Sequence, residues 1–466
     1  MKPGKMVLGL ATAWMAFACA GATAIYVDKN RPDDSGDGLT PQTAFRTIQA
    51  GVDAVEAGGT VYVAPGSYDE GKTVASNHNN RVFIDKSLTL EATGDRTNTE
   101  IVGEKDPSSL ATANLRGMGA NAVRCVFVAT ADLTVTIKGF TLRDGATKTG
   151  SELNETLGGG VSVGVPDKNA SKGPNGEYKT TLIDCAVLNC SGTRGGGTRR
   201  VRAVRTIYDN CFATLSGSAA RDGQFYWCVI RDCQDVNSDS SSALCDVLAV
   251  NCTLFGCGAY AVLPTSTSTS YHNKIWNSYI ANCGRGVGQA ATGVYLYSSV
   301  AVNGDGVTAD ADCKTDSDDY QLMGPAVWDF RPIANGDLDG RGKRDYLAQI
   351  PEEYRDKDFL GNAVPSSGDL HVGAVQTTAT PASGRISFSS VSSADLKVAV
   401  DGHPVSFDGE YAFAETWPTQ YVATVSTVSD KELWGWHELN SDTAKFPELT
   451  NTKTLMMPPG AATNFT

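Results

Sequence analysis

Apolar and polar positions in this chain do not follow a helical period over their longest patterned stretch. Between Thr181 and Gly306 they form short runs of β-branched, aromatic or small apolar residues. Each run closes on Asn or Asp followed by Cys or Gly, then by Gly/Ser-rich sequence. The closing units are Val187-Leu188-Asn189-Cys190, Tyr208-Asp209-Asn210-Cys211, Ile230-Arg231-Asp232-Cys233, Ala249-Val250-Asn251-Cys252, Ile280-Ala281-Asn282-Cys283 and Ala301-Val302-Asn303-Gly304. Their Asn/Asp positions, 189, 210, 232, 251, 282 and 303, are separated by 21, 22, 19, 31 and 21 residues. Such a spacing reads as one coil repeat with a single loop insertion. The runs themselves, such as Thr181-Leu182-Ile183 and Gln224-Phe225-Tyr226-Trp227, are strand-forming. Stacked in register they predict a parallel β-solenoid, with equivalent positions ~4.8 Å apart. The recurrent Asn or Asp suits a tight bend, because its side chain bonds nearby backbone and tolerates left-handed angles.

The pattern changes at both ends. Ile25-Tyr26-Val27 reads as a strand. Phe45, Ile48, Val52 and Val55 then fall on one helical face that Gly58-Gly59 ends. A helix there would cap the first coil, whose core otherwise meets water. Val82-Phe83-Ile84, Ser87–Leu90, Glu100–Gly103, Leu133–Ile137 and Phe140–Leu142 read as further strands, and 104–124 and 165–179 as loops. Loops leaving one edge of a solenoid are where a ligand site is built. After Gln376 the sequence becomes a Thr/Ala/Pro/Ser/Gly linker, 377–384. Arg385–Phe388, Leu396–Val400, Tyr421–Val425 and Leu433–Trp436 then read as antiparallel strands of a small domain with a tail, 385–466. Trp434 and Trp436 share one face there, as a core pair or a sugar-stacking platform.

Three segments carry a family likeness: Asp34-Ser35-Gly36-Asp37-Gly38-Leu39-Thr40-Pro41, Ala44–Ala50, and Val61–Tyr68. Together with the Asn-Cys repeats and Gly158-Gly159-Gly160-Val161, they resemble bacterial secreted right-handed parallel β-helix proteins of the pectin-lyase-like superfamily. Asp329-Phe330-Arg331-Pro332 and Asp358-Phe359-Leu360-Gly361-Asn362 through Asp369–Ala374 resemble a choice-of-anchor-type closing segment. The resemblance spans 25–376 and implies an all-β fold: a right-handed parallel β-helix with an N-terminal helical cap, followed by a small C-terminal antiparallel β domain. Its functional implication is broad, since lyases, hydrolases, adhesins and inert spines share the fold. The galacturonan-hydrolase pattern is not met, because the chain contains no Gly-His-Gly and no Arg-Ile-Lys.

Composition narrows the setting. Lys2 and Lys5, the apolar run Val7–Ala20 and Ala22-Thr23-Ala24 predict an export signal over 1–24. The expected location is outside the cell or on the bacterial surface, as a monomer. No later apolar run is long enough to span a bilayer. A formal charge of −13 over 466 residues argues against nucleic acid or an anionic membrane held by bulk electrostatics. Without Cys19 eleven cysteines remain. Cys190, Cys211, Cys233, Cys252 and Cys283 hold one repeat position and are expected to stack as a thiol ladder. Strand spacing exceeds the ~3.8 Å between Cβ atoms that a disulfide requires; a disulfide framework is the competing reading.

The candidate chemistry is basic. Arg194, Arg199, Arg200, Arg202 and Arg205 crowd one stretch, and Arg200 and Arg202 are expected on one strand face. Arg221-Asp222, Arg231-Asp232 and Asp235 follow in later coils, with Asp239 and Asp246 nearby. An arginine cluster in an acidic chain points to an acidic glycan. The expected ligand-binding set is Arg199, Arg200, Arg202, Arg205, Arg221, Asp222, Arg231 and Asp235. Three functions stay open: binding of an extended acidic polysaccharide, pectate-lyase-like β-elimination with Arg200, Arg202 or Arg221 as base, and an adhesin or structural spine. Asp310, Asp312, Asp316, Asp318 and Asp319, and separately Asp337 and Asp339, are the Ca²⁺ candidates. Arg341 stands where a calcium loop wants its third ligand. Five scattered histidines give no transition-metal pattern.

Overall fold

The computed structural model describes residues 24–164, 178–236, 242–258, 260–263, 273–281, 283, 287, 294–297, 299–301, 308–309, 311–315, 321–324 and 329–379, and short strands between 384 and 465. Several expectations lie outside these residues. They are the export signal up to residue 23, most of the 165–179 loop, Asp239, Asn282, Asn303, the acidic positions 310, 316, 318 and 319, the middle of the linker, and Trp434 and Trp436.

Consecutive short strands pair with the next coil rather than with each other, and all three long sheets run parallel apart from one hairpin, Thr73–Ala75 with His78–Ile84. The chain is a right-handed parallel β-helix. Wall A is a sixteen-stranded sheet, wall B has nine strands and wall C three. The three central coils run A to B to C, as in Thr180–Ile183, Ala186–Leu188 and Ser191–Arg194. Alternation along the strands sends one set of side chains inward. Val201, Ala203, Val187, Tyr208, Ile230 and Leu254 join one apolar core that extends from Ile25 to Leu296.

Left-handed residues turn each coil. Asp184, Arg205, Trp227, Asn251 and Asn277 mark the corner between walls A and B, and Asp144, Asn189, Asn210 and Asp232 that between B and C. All have φ between 46° and 59°. Stacked copies bond one another as well: Asn189 Nδ2 donates to Asp144 Oδ1 at 2.6 Å and Asn277 Nδ2 to Asn251 Oδ1 at 3.3 Å.

This arrangement corrects the repeat. Leu188, Asp209, Arg231, Phe255 and Ala281 are successive partners, so the coils are 21, 22, 24 and 26 residues long. The apparent steps of 19 and 31 arise because Asn251-Cys252 occupies the A–B corner, not the B–C corner. The column after the B–C corner is therefore Cys190, Cys211, Cys233, Cys257 and Cys283. Cys252 belongs to a second column with Cys185, Thr206, Cys228, Ser278 and Ser299. Both corners repeat one motif, in which a small S–H or O–H donates to the carbonyl two residues earlier. Examples are Cys233 to Arg231 at 3.3 Å, Cys228 to Tyr226 at 3.3 Å and Ser278 to Trp276 at 2.8 Å. A thiol thus does the work of a hydroxyl at a dry bend.

All eleven cysteines among the described residues are free thiols, and ten are buried. Burial pushes the Cys185 thiol up to about 12, which makes it unreactive. Of the eleven described cysteines, only Cys313 is expected to react with a thiol reagent in the native protein, and all eleven are expected to react once it is unfolded without reductant. A lower count after unfolding would reveal disulfides.

Helix α1, Ile48–Ala54, caps the first coil. Thr47 accepts a bond from the Ala50 N–H at 3.3 Å, and Ile48 and Val52 are buried. It is shorter than the apolar spacing predicts. Phe45 pairs with Val27 ahead of the helix, and Val55 is its C-cap. At the other end, segments from 321 to 379 fold back over the outside of the coils. Leu322, Phe330, Leu338, Phe359, Val372 and Ala374 cover the outer row of wall B at Ala186, Ile207, Val229 and Tyr279. Ile350 packs on Val204, Tyr226, Trp227, Val250 and Trp276 at the A–B corner. The strands beyond 384 form two small sheets. Their pairs are antiparallel except Gly384–Phe388 with Ala462–Phe465, which is parallel.

Candidate functional site

Three long strands of wall A carry a second, unexpected bend. Thr198–Val204, Ala220–Tyr226 and Ser242–Val250 each hold a left-handed residue in mid-strand: Arg200 at φ 61°, Asp222 at 55° and Asp246 at 56°. The register stacks these three, since Val201, Gly223 and Val247 are partners just beyond them. The bend breaks strict alternation. Thr198 bonds the core Tyr208 hydroxyl at 3.0 Å, and Val201 and Ala203 are in the core, so Arg199 and Arg202 face outward. Simple alternation would put Arg199 and Arg202 on opposite faces; the bend brings both outward.

Ahead of the bend, Ser162, Arg199, Arg221 and Cys245 form one outward row. Arg199 is 6% exposed, with Nε 3.4 Å from Asp222 Oδ2. Its Nη1 has no hydrogen-bond partner among the described residues, and neither does the buried Oγ of Ser162 beside it. Arg221 lies 3.6 Å from Asp246 and donates to Ser216 Oγ at 3.2 Å. Arg194, at the end of wall C, faces Arg221; burial and that second guanidinium lower its pKa. Burial, offset in part by Asp222, pulls Arg199 down to about 10, still far enough above neutrality to keep it charged.

Tyr178 completes the cluster. It is buried, and its pKa is raised first by that burial and then by Asp222. Arg200, Asp246 and Arg199 also act on it electrostatically. In the sequence it stands within the 165–179 loop, with no signal of its own. Among the described residues the cluster thus contains Arg194, Arg199, Arg200, Arg221, Asp222, Asp246 and Tyr178.

The other expected ligands lie elsewhere. Arg202 donates to Gln224 at 3.3 Å, past the bend. Arg205 is at the A–B corner with Asp184, 2.7 Å away. Arg231 pairs with Asp209 at 2.8 Å on wall B, and Asp235 sits on wall C. Of the Ca²⁺ candidates, Asp337 bonds Lys314, Asp339 is 3.1 Å from His371 and Asp312 is 3.7 Å from Lys343. Among the described residues no group of three His, Cys, Asp or Glu is placed to hold a metal ion, and no helix is long and apolar enough to cross a membrane.

No family model matches the chain, and no curated protein matches it. Solved structures do. A rhamnogalacturonan lyase is 14% identical with a TM-score of 0.32, over 60% of this chain and 68% of that one. A pectin methylesterase from Erwinia chrysanthemi is 12% identical with a TM-score of 0.26, over 61% and 80%. A mannuronan C-5 epimerase A-module from Azotobacter vinelandii is 17% identical with a TM-score of 0.29, over 56% and 70%. At these values the likeness assigns no activity.

Proposed function

We propose that this β-helix binds an extended acidic polysaccharide on the outer face of wall A, with Arg199 holding one of its anionic groups. The observation that carries this is a guanidinium almost wholly out of water, aimed outward, whose Nη1 has no hydrogen-bond partner among the described residues and lies beside a Ser162 hydroxyl in the same state. A buried cation and a hydroxyl left in that state are costly unless an oxyanion joins them. Arg199, Arg221 and Ser162 lie on adjacent strands, so successive anionic groups along a polymer meet a row rather than a point. The surrounding chain is acidic overall, so non-specific attraction does not supply the binding.

A second reading, β-elimination from a uronate, is favoured by Tyr178. A guanidinium that neutralises the sugar carboxylate acidifies the neighbouring C–H; once a base has taken that proton, the Tyr178 phenol, held protonated by burial and Asp222, can give its own proton to the glycosidic oxygen that departs as the double bond forms. Tyr178 is then the acid, and of the three arginines considered as base Arg200 and Arg221 stand in the cluster while Arg202 bonds Gln224 outside it.

Titration calorimetry with oligogalacturonate and oligomannuronate tests the main reading. Arg199→Gln is expected to weaken binding about 10- to 100-fold, equivalent to ~1.5–3 kcal/mol for a charge-assisted bond. Equal binding by the variant, or none by the parent, returns the adhesin or spine to the front. Ultraviolet absorbance of the unsaturated uronate product reports elimination; its absence in a protein that binds removes the second reading alone.

A further inference from the structure

A cleft of about 650 Å³ opens at the corner of walls A and B in the early coils. Its floor is short of side chains. Gly139 is the corner residue there with φ 79°, and a Cβ would stand 3.3 Å from that of Ala92. One flank is an outward row of wall A, Tyr62, Glu91 and Lys138, partners in successive strands. Tyr62 stacks on Tyr26 with centroids 5.6 Å apart and planes 27° apart. The other flank is the loop around Arg96 and the turn Phe359-Leu360-Gly361 of the closing segment, where Leu360 is 48% exposed.

The charges of this cleft balance in number, with Glu91, Asp95 and Asp184 set against Lys138, Arg96 and the Arg205 that pairs with Asp184. Glu91 and Lys138 pair at 2.7 Å and stay partly exposed; Asp184 pairs with Arg205. Arg96 donates to the Arg205 carbonyl at 2.8 Å and lies 4.8 Å from the centre of the Phe359 ring. A polyanion meets three carboxylates here, Glu91, Asp95 and Asp184. The cleft instead offers an aromatic face, an exposed leucine and a carboxylate–ammonium pair with unused acceptors and donors. An apolar ring face on tyrosine with hydroxyls on such a pair is the chemistry of a neutral sugar, and the volume lies within the range of small-ligand sites.

We infer that the corner cleft is a second saccharide site, for a neutral oligosaccharide, separate from the arginine cluster of wall A. Full-length exported protein is titrated with cellohexaose, mannohexaose and a galactohexaose, and separately with oligogalacturonate. At least one neutral hexaose is expected to bind. Tyr62→Ala is expected to weaken it at least about 10-fold, as a hot-spot aromatic does, and Lys138→Gln by a smaller factor. Arg199→Gln leaves it unchanged. Lys138→Gln, at an exposed position, keeps the test valid should Tyr62→Ala fold poorly. The inference is overturned if none of the three neutral probes binds, if Lys138→Gln and Tyr62→Ala both bind as the parent does, or if oligogalacturonate displaces the neutral sugar.

Discussion

Trp227→Ala is expected to lower the unfolding free energy by about 3–5 kcal/mol, the range for emptying a buried tryptophan site. Trp227 is fully buried at the A–B corner, in contact with a cluster that includes Tyr226, Val250, Trp276 and Ile350. Its Nε1–H donates to the Tyr354 carbonyl at 3.0 Å, which ties the returning segment to the coils. Alanine forfeits that area and that bond while keeping a backbone angle, φ 56°, that favours glycine or asparagine. Urea unfolding measures the loss, and proteolysis within 344–364 should become faster. A change below about 1 kcal/mol, the level of an ordinary surface substitution, would mean that the segment does not clamp the coils.

Asp222→Ala is expected to cost a similar amount, about 3–5 kcal/mol, because it strips a buried ion pair of one member. Asp222 is 1% exposed and is the carboxylate nearest to Arg199. The discriminating variant is the double one. Arg199→Met with Asp222→Leu removes both charges and should recover most of the loss, since a dry apolar pair replaces a buried ionic one at little cost. If the double variant is as unstable as the sum of the single ones, the two residues are not coupled. An added oligouronate should stabilise the parent and not the double variant.

Much of this fold is legible in the residues. Short β-branched runs closed by Asn-Cys specify strands and bends, and the cap helix is set by Ile48 and Val52. The register of the repeat is not legible, for a physical reason. Asn-Cys serves two different corners of the same coil, because both need a left-handed residue followed by a small donor. A reader of the sequence cannot tell Asn251 from Asn210. The same holds for the site. Arg199, Arg200, Arg221 and Asp222 come together as their clustering suggests, while Arg205, Arg231 and Asp235 are dispersed by the corners between them. Nothing local marks the mid-strand bend at Arg200, where neither glycine nor asparagine stands. Tyr178 stands two residues before the strand Thr180–Ile183, and no repeat pattern in the sequence singles it out. The path of the segments between 321 and 379 back over Ala186, Ile207 and Val229 rests on contacts far apart in sequence, which no local pattern shows.

The most direct test is a crystal structure of the protein with a saturating oligouronate. The account predicts a sugar carboxylate on the outer face of wall A, within hydrogen-bond distance of Arg199 and Ser162. An ordered acidic oligomer lying in the corner cleft or elsewhere, with Arg199 untouched, would contradict it.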